Sequence, residues 1–252
     1  MKRITQHISM KKHPETKKHE AGNVLFFILL AAGLFAALSY TVSRSNRGSP
    51  NIDRSQARVI ANDIVSYGGT IVSAIEQIRQ EGFSENQISF AHPQLDATYG
   101  TFDDNPTTEV FNVRGGAVTF SNPAGTRSAG DLIFSATNDV RNVGSRCVDG
   151  SCSNCTSIAS TACVDLIMFL PLNDPNTCRG INEILNVGDD VNNQTTLDGT
   201  FDETLFDGTF SYQDSIESTG VDNVFNGKRG GCFEGTGSQA GTYYYYNVLI
   251  AR

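Results

Sequence analysis

Lysine is almost missing from most of this chain. Beyond Asp53 only Lys228 occurs, and the 11 basic residues of that part face 25 acidic ones, about 14 net negative charges. A field of that sign repels phosphate, which argues against a nucleic-acid partner or an anionic lipid surface. Histidine is missing where hydrolase chemistry would need a base: His7, His13 and His19 stand before residue 20, and only His92 follows. There is no G-x-S-x-G, no H-E-x-x-H and no P-loop, and Gly235, Gly237 and Gly241 miss the G-x-G-x-x-G spacing by one. Carboxylates are plentiful but form no recognisable catalytic pair. No catalytic residue, metal ligand or cofactor is therefore assigned, and the chain is not expected to be an enzyme.

Cysteine is absent from the first 146 residues and then occurs six times, at Cys147, Cys152, Cys155, Cys163, Cys178 and Cys232. An even number confined to the acidic part reads as disulfides in an oxidising compartment. The C-x4-C-x2-C spacing of Cys147, Cys152 and Cys155 is also that of a plant-type [2Fe-2S] loop, but neither Cys163 nor Cys178 stands at the longer interval a fourth ligand requires.

Formal charge is absent over a long stretch as well. Asn23 to Ser43 carries none, and 21 residues of helix span roughly 30 Å, the thickness of a bilayer core. The stretch follows a leader, residues 1–22, bearing Lys2, Arg3, Lys11, Lys12, Lys17 and Lys18, which favours an N-terminus on the cytoplasmic side. The expectation is a single-pass helix over 23–46 with the domain on the far side. Ala32 with Ala36, and Gly33 with Ala37, place small residues four apart, where another helix can approach closely. Ala37-Leu38-Ser39 offers an alternative, a secretory cleavage site.

Residues 47–52, with Gly48 and Pro50, read as a break. A second helix is predicted over 53–81, with Asp53 as N-cap, Gln56 three residues on, and Gly82 as the stop. Ala57, Ile60, Ile64, Tyr67, Ile71, Ile75 and Ile78 form its apolar stripe. Gly68-Gly69 interrupts it, which predicts a bend or a close backbone contact.

Residues 86–252 supply candidate strands: QISFA at Ile88, EVFNV and AVTF around Gly115-Gly116 as the best hairpin signal, DLIFSA at Asp131, VDLIMFL at Val164 and YYYYNVLIA at Tyr243. Alternation along the last places two tyrosines in the core and two on the surface, where aromatic faces would suit sugar stacking. A short helix is predicted after Asp174, with Pro175 in its first turn, Ile181, Ile184 and Leu185 on one face and Gly188 as its stop. The acidic segment 188–214 repeats LDGTF as FDGTF, two Asp-Gly turn signals. Asp189, Asp190, Asp198, Asp202, Glu203 and Asp207 crowd there, but no frame supplies the glycine and glutamate of an EF-hand.

A lysine-rich leader ending in Gly22, followed at once by an apolar helix and then an amphipathic one, resembles the class III prepilin signal of type IV pilins and type II secretion pseudopilins. GNVLFFILLAAGLFAALSYTVSRSNRG, QISFAHP and CRGINEIL are similar to stretches of alphaproteobacterial pilin-like proteins. The resemblance implies an α+β pilin-like fold, a transmembrane helix and an amphipathic helix packed on an antiparallel sheet, in the bacterial inner membrane with a periplasmic or cell-surface domain. It implies cleavage by a prepilin peptidase between Gly22 and Asn23, and partners among like subunits through the apolar helix. It also implies that Cys178 pairs with Cys232, as in type IVb pilins, leaving the other four cysteines to pair among themselves. The family's usual glutamate five residues after the cut is here Phe27, which bears on filament assembly. The function expected is a structural or assembly subunit of a surface filament or secretion apparatus; the alternative is a tethered extracytoplasmic binding domain, an adhesin or carbohydrate binder. Mass spectrometry of the mature protein should find the chain starting at Asn23; a start near Tyr40 would mean ordinary secretion.

Overall fold

The computed structural model describes residues 21–45, 50–128, 131–144, 164–188, 198–218 and 224–252. It divides into two units, Met1–Ser49 and Pro50–Arg252. In the first, helix α1 runs Ala21–Ser45, and its described side chains, Phe26 to Ser39, are all exposed. Those fourteen residues extend roughly 21 Å, against the roughly 30 Å of a bilayer core. Among the described residues no helix is long and apolar enough to cross a membrane. This corrects the expectation of a transmembrane helix over 23–46, and with it that of a single-pass inner-membrane protein.

In the second unit α2 runs Pro50–Gln80, three residues ahead of the predicted start. Proline is compatible with a first helical turn, since its missing N–H has no partner there anyway. Gly82, at φ +99°, ends the helix, its N–H bonded to the Arg79 carbonyl at 3.0 Å. The predicted stripe is the buried one: Ala57, Ile64, Ile71, Ile75 and Ile78 are covered, and Ile60 and Tyr67 partly so. The glycine pair splits in meaning. A Cβ on Gly68 would lie 2.7 Å from the Tyr245 hydroxyl and 2.9 Å from Asn247 Nδ2, whereas one on Gly69 would meet nothing within 4 Å.

Seven strands follow: β1 Ile133–Asp139, β2 Asp165–Leu172, β3 Asp198–Thr200, β4 Asp214–Ser215, β5 Glu217–Ser218, β6 Gly230–Gly235 and β7 Tyr243–Ile250. Their order is β4-β1-β2-β7-β6-β3-β5. β2 and β7 are the central antiparallel pair, in register from Ile167 opposite Val248 to Leu172 opposite Tyr243. The β1–β4 and β3–β6 pairs are parallel. The two outermost strands are one stretch of chain: Asp214–Ser215 pairs with β1 and, one residue later, Glu217–Ser218 pairs with β3. That stretch nearly closes the sheet, which in effect has six strands around an interior. The expected pilin-like α+β fold, an antiparallel sheet laid across a helix, is therefore corrected to a mixed, nearly closed sheet with α2 and a third helix, α3 Pro175–Leu185, outside it.

Side-chain alternation sorts the residues into two cores. Leu166, Met168, Leu170, Phe134, Ala136 and Tyr245 face the helices with Ile64, Ile71, Ile75 and Ile181. Ile167, Phe169, Phe233, Tyr244, Tyr246 and Val248 face the interior with Phe201, Ile216 and Phe225. Phe169 stacks on Phe201 inside at 3.9 Å, and Phe90 on Phe134 outside at 3.7 Å. Both faces being covered, Tyr244, Tyr245 and Tyr246 are all buried and only Tyr243 is half-exposed, so the run presents no paired surface rings.

The strands expected at QISFA, EVFNV and AVTF do not form. One isolated bridge joins Ser89 and Glu109, and the chain turns back through Gly115-Gly116 with Val118 bonded to Val110. The buried Glu109 carboxylate accepts from the Asp103 and Asn105 N–H groups and from Asn112 Nδ2, at 3.0, 3.2 and 3.0 Å. These local bonds occupy groups that a strand ladder would need.

Gly69→Ala should stabilise the unit by about 0.5–1 kcal/mol, the helix-propensity gain at an open site. Gly68→Leu should destabilise it by more than that, because its side chain would displace the buried Tyr245. Denaturant unfolding of the two variants checks both signs.

Candidate functional site

Of the predicted site residues, the structure brings two together. Asp174 caps α3 by accepting from the Thr177 N–H at 3.1 Å, with Pro175 in the first turn, and Asn186 in the left-handed conformation ends the helix two residues before the predicted stop. This sets Cys178 on the face of α3 turned to the sheet, where it is bonded to Cys232 of β6 with 5.3 Å between Cα atoms. Both cysteines are essentially fully buried. The pairing that the resemblance implied is thus shown. Cys147, Cys152, Cys155 and Cys163 lie outside the described residues. Gly22 and Asn23 fall in the first turn of α1.

A residue that sequence reading missed reinforces the bridge. Asn182, one turn on from Cys178, donates through Nδ2 to the Cys232 carbonyl and accepts the Cys232 N–H through Oδ1, each at 2.7 Å. Its amide completes β6 as a neighbouring strand's backbone would. Gly180 permits the approach of α3 to α2, since a Cβ there would stand 3.1 Å from that of Ala61. An ion pair between Arg54 and Glu183 joins the two helices at the surface.

A second constellation lies where the sheet closes. Asn138 donates through Nδ2 to the Asp202 carbonyl at 2.8 Å and accepts the Asp202 N–H at 2.7 Å. The Asp202 carboxylate accepts from Thr137 Oγ1 at 2.8 Å, and Thr137 meets Ser135 at 2.8 Å. These hydrogen bonds outweigh the burial of the Asp202 carboxyl, which titrates below the usual carboxylate range. Nearby the carboxylates of Asp139 and Asp165 are 3% and 1% exposed. Of the crowded acidic residues, Asp202 is spent on this network and Asp207 caps its own turn by accepting the Thr209 N–H at 2.9 Å. Asp207-Gly208 is the turn the sequence predicts, with Gly208 at φ +93°, while Asp198-Gly199 instead enters β3, where Phe233 covers Gly199. Asp189 and Asp190 lie outside the described residues.

His92 stacks on Phe120 at 4.0 Å, with Phe102 and Phe111 edge-on, and its Nδ1 accepts the Gln94 N–H at 3.2 Å. Burial lowers its pKa, so it is a neutral ring within an aromatic cluster. An open groove of about 470 Å³ runs between α2 and residues 116–121, lined by uncharged Tyr67, Thr70, Ser73, Gln77, Thr119 and Ser121. Thr70 and Ser73 donate their hydroxyls to carbonyls one turn back, and the Tyr67 hydroxyl lies against Ser121. Among the described residues no group of three or more His, Cys, Asp or Glu is placed to hold a metal ion.

Comparison with protein-family models, with characterised proteins and with solved structures finds no match to this chain.

The bridge closes a loop across a sequence separation of 54, which is worth about 4 kcal/mol by chain entropy. Replacing Cys178 and Cys232 together by serine should lower the melting temperature and open residues 189–197 to protease, as limited proteolysis under non-reducing conditions would show.

Proposed function

We propose that this chain is a non-catalytic assembly subunit, in which α1 packs against α1 of further copies and the disulfide-bonded unit is the body it carries. The observation behind the proposal is the exposure of α1. Phe26, Phe27, Ile28, Leu29, Leu34, Phe35 and Leu38 are each 58–75% exposed, and a helix that is apolar all round is stable only when something covers it. Ala32, Gly33, Ala36 and Ala37 allow a like helix to come close enough for van der Waals packing. The body supports the same reading. Its interior is filled by Phe169, Phe201, Phe225, Phe233, Tyr244 and Tyr246 instead of enclosing a ligand, and its polar clusters spend their hydrogen bonds on one another.

The test is the association state of the full chain in mild detergent, measured by light scattering and chemical cross-linking. The native chain should associate. Gly33→Leu combined with Ala36→Leu, which keeps the helix apolar but blocks close approach, should weaken association at least tenfold and leave the melting of the body unchanged. A monomeric native chain, or association indifferent to the substitution, would overturn the proposal.

A further inference from the structure

The seam of the sheet holds an acidic pair that the assembly reading does not use. Asp139 ends β1 and Asp165 begins β2. Asp165 accepts two backbone N–H groups, that of Val140 at Oδ2 and that of Arg252 at Oδ1, each at 3.0 Å. Asp139 accepts the Ser215 hydroxyl through its carboxylate and the Ile216 N–H through its carbonyl, the latter at 2.9 Å. The pair therefore fastens four pieces of chain at one point: the end of β1, the start of β2, the closing stretch 214–216 and the segment after β7.

The other charged groups around it are few. Arg229, ahead of β6, is the cation that acts on Asp165, and Asp214 lies in the closing strand itself. The Arg252 guanidinium is engaged elsewhere, 3.3 Å from Glu85 and 4.2 Å over the Phe210 ring. Two carboxylates in so poorly hydrated a place repel strongly when both are ionised, and one proton removes the repulsion.

We infer that Asp139 and Asp165 form a proton-dependent fastener: the seam is tight while the pair holds one proton and loosens once both carboxylates are ionised. Burial is the largest influence on Asp165 and lifts it to about 7; the Val140 and Arg252 N–H groups pull it down, Asp139 adds to the rise and Arg229 opposes it. The folded value lies above the ordinary 3.8. The stability this group contributes is thus fully present below that ordinary value and is lost as pH rises through the folded one.

Amide hydrogen exchange of the full chain, corrected for intrinsic rates, reads the seam directly. Protection of Gln213 and Ile216 should fall at least tenfold between pH 6 and pH 8.5 in the native protein. It should be the same at both pH values in Asp139→Asn, which keeps an acceptor for Ser215 and removes the repelling charge. Protection independent of pH in the native protein, or an unchanged pH dependence in D139N, would overturn the inference. If the variant does not fold, carbon-13 titration of the Asp165 carboxyl in the native protein decides: a midpoint near neutrality supports the fastener, and one below pH 5 sinks it.

Discussion

A sheet buried on both faces cannot leave its edges open, because a free edge would carry unpaired N–H and C=O groups into the same apolar surroundings. Everything in the folded body follows from how this chain meets that requirement. Residues 206–216 run beside β1, with the N–H groups of Phe206, Ser211, Gln213 and Ile216 donating to the Phe134, Ala136, Thr137 and Asp139 carbonyls at 2.8–3.1 Å. The same stretch then crosses to β3. Where no backbone partner reaches, side-chain amides stand in: Asn138 serves Asp202 and Asn182 serves Cys232, each giving one hydrogen bond and taking one.

Closure explains why polar residues lie inside. Ser135, Thr137 and Asn138 of β1 are all buried, yet each reaches a partner, so no desolvation cost is left unmet among them. It also explains why the two central strands carry large side chains on both faces. β2 reads as an apolar run because helices cover one side and the filled interior covers the other.

Elements with a strong local signal were legible in the sequence. The stripe of α2, the Asp174 cap of α3 and the strands at DLIFSA, VDLIMFL and YYYYNVLIA all form, because periodicity and capping report what the local chain does. β3, β4 and β5 are two or three residues long and exist only through distant partners. No window of sequence could reveal them, nor that the sheet closes. Residues 87–120 look like strands by composition, but Glu109 gathers their N–H groups into turns. At the site, the cysteine pair was visible through resemblance. Asn182 and Asn138 were not, since an asparagine that replaces backbone looks like any loop asparagine, and a buried acid that opens a strand, as Asp165 does, looks like one at the solvent rim.

The Cys178–Cys232 bond has a mechanical meaning too. Tension applied across the folded body from either side of the two cysteines passes from one sulfur to the other, and the chain between them bears none of it. A sequence separation of 54 corresponds to roughly 190 Å of extended chain that pulling cannot release while the bridge is intact. β3, β4 and β5, the short strands of the seam, all lie within that sheltered length. The weakest pairings of the sheet are thus spared direct strain, and the stretched elements are the long ones, α2, β1, β2 and β7.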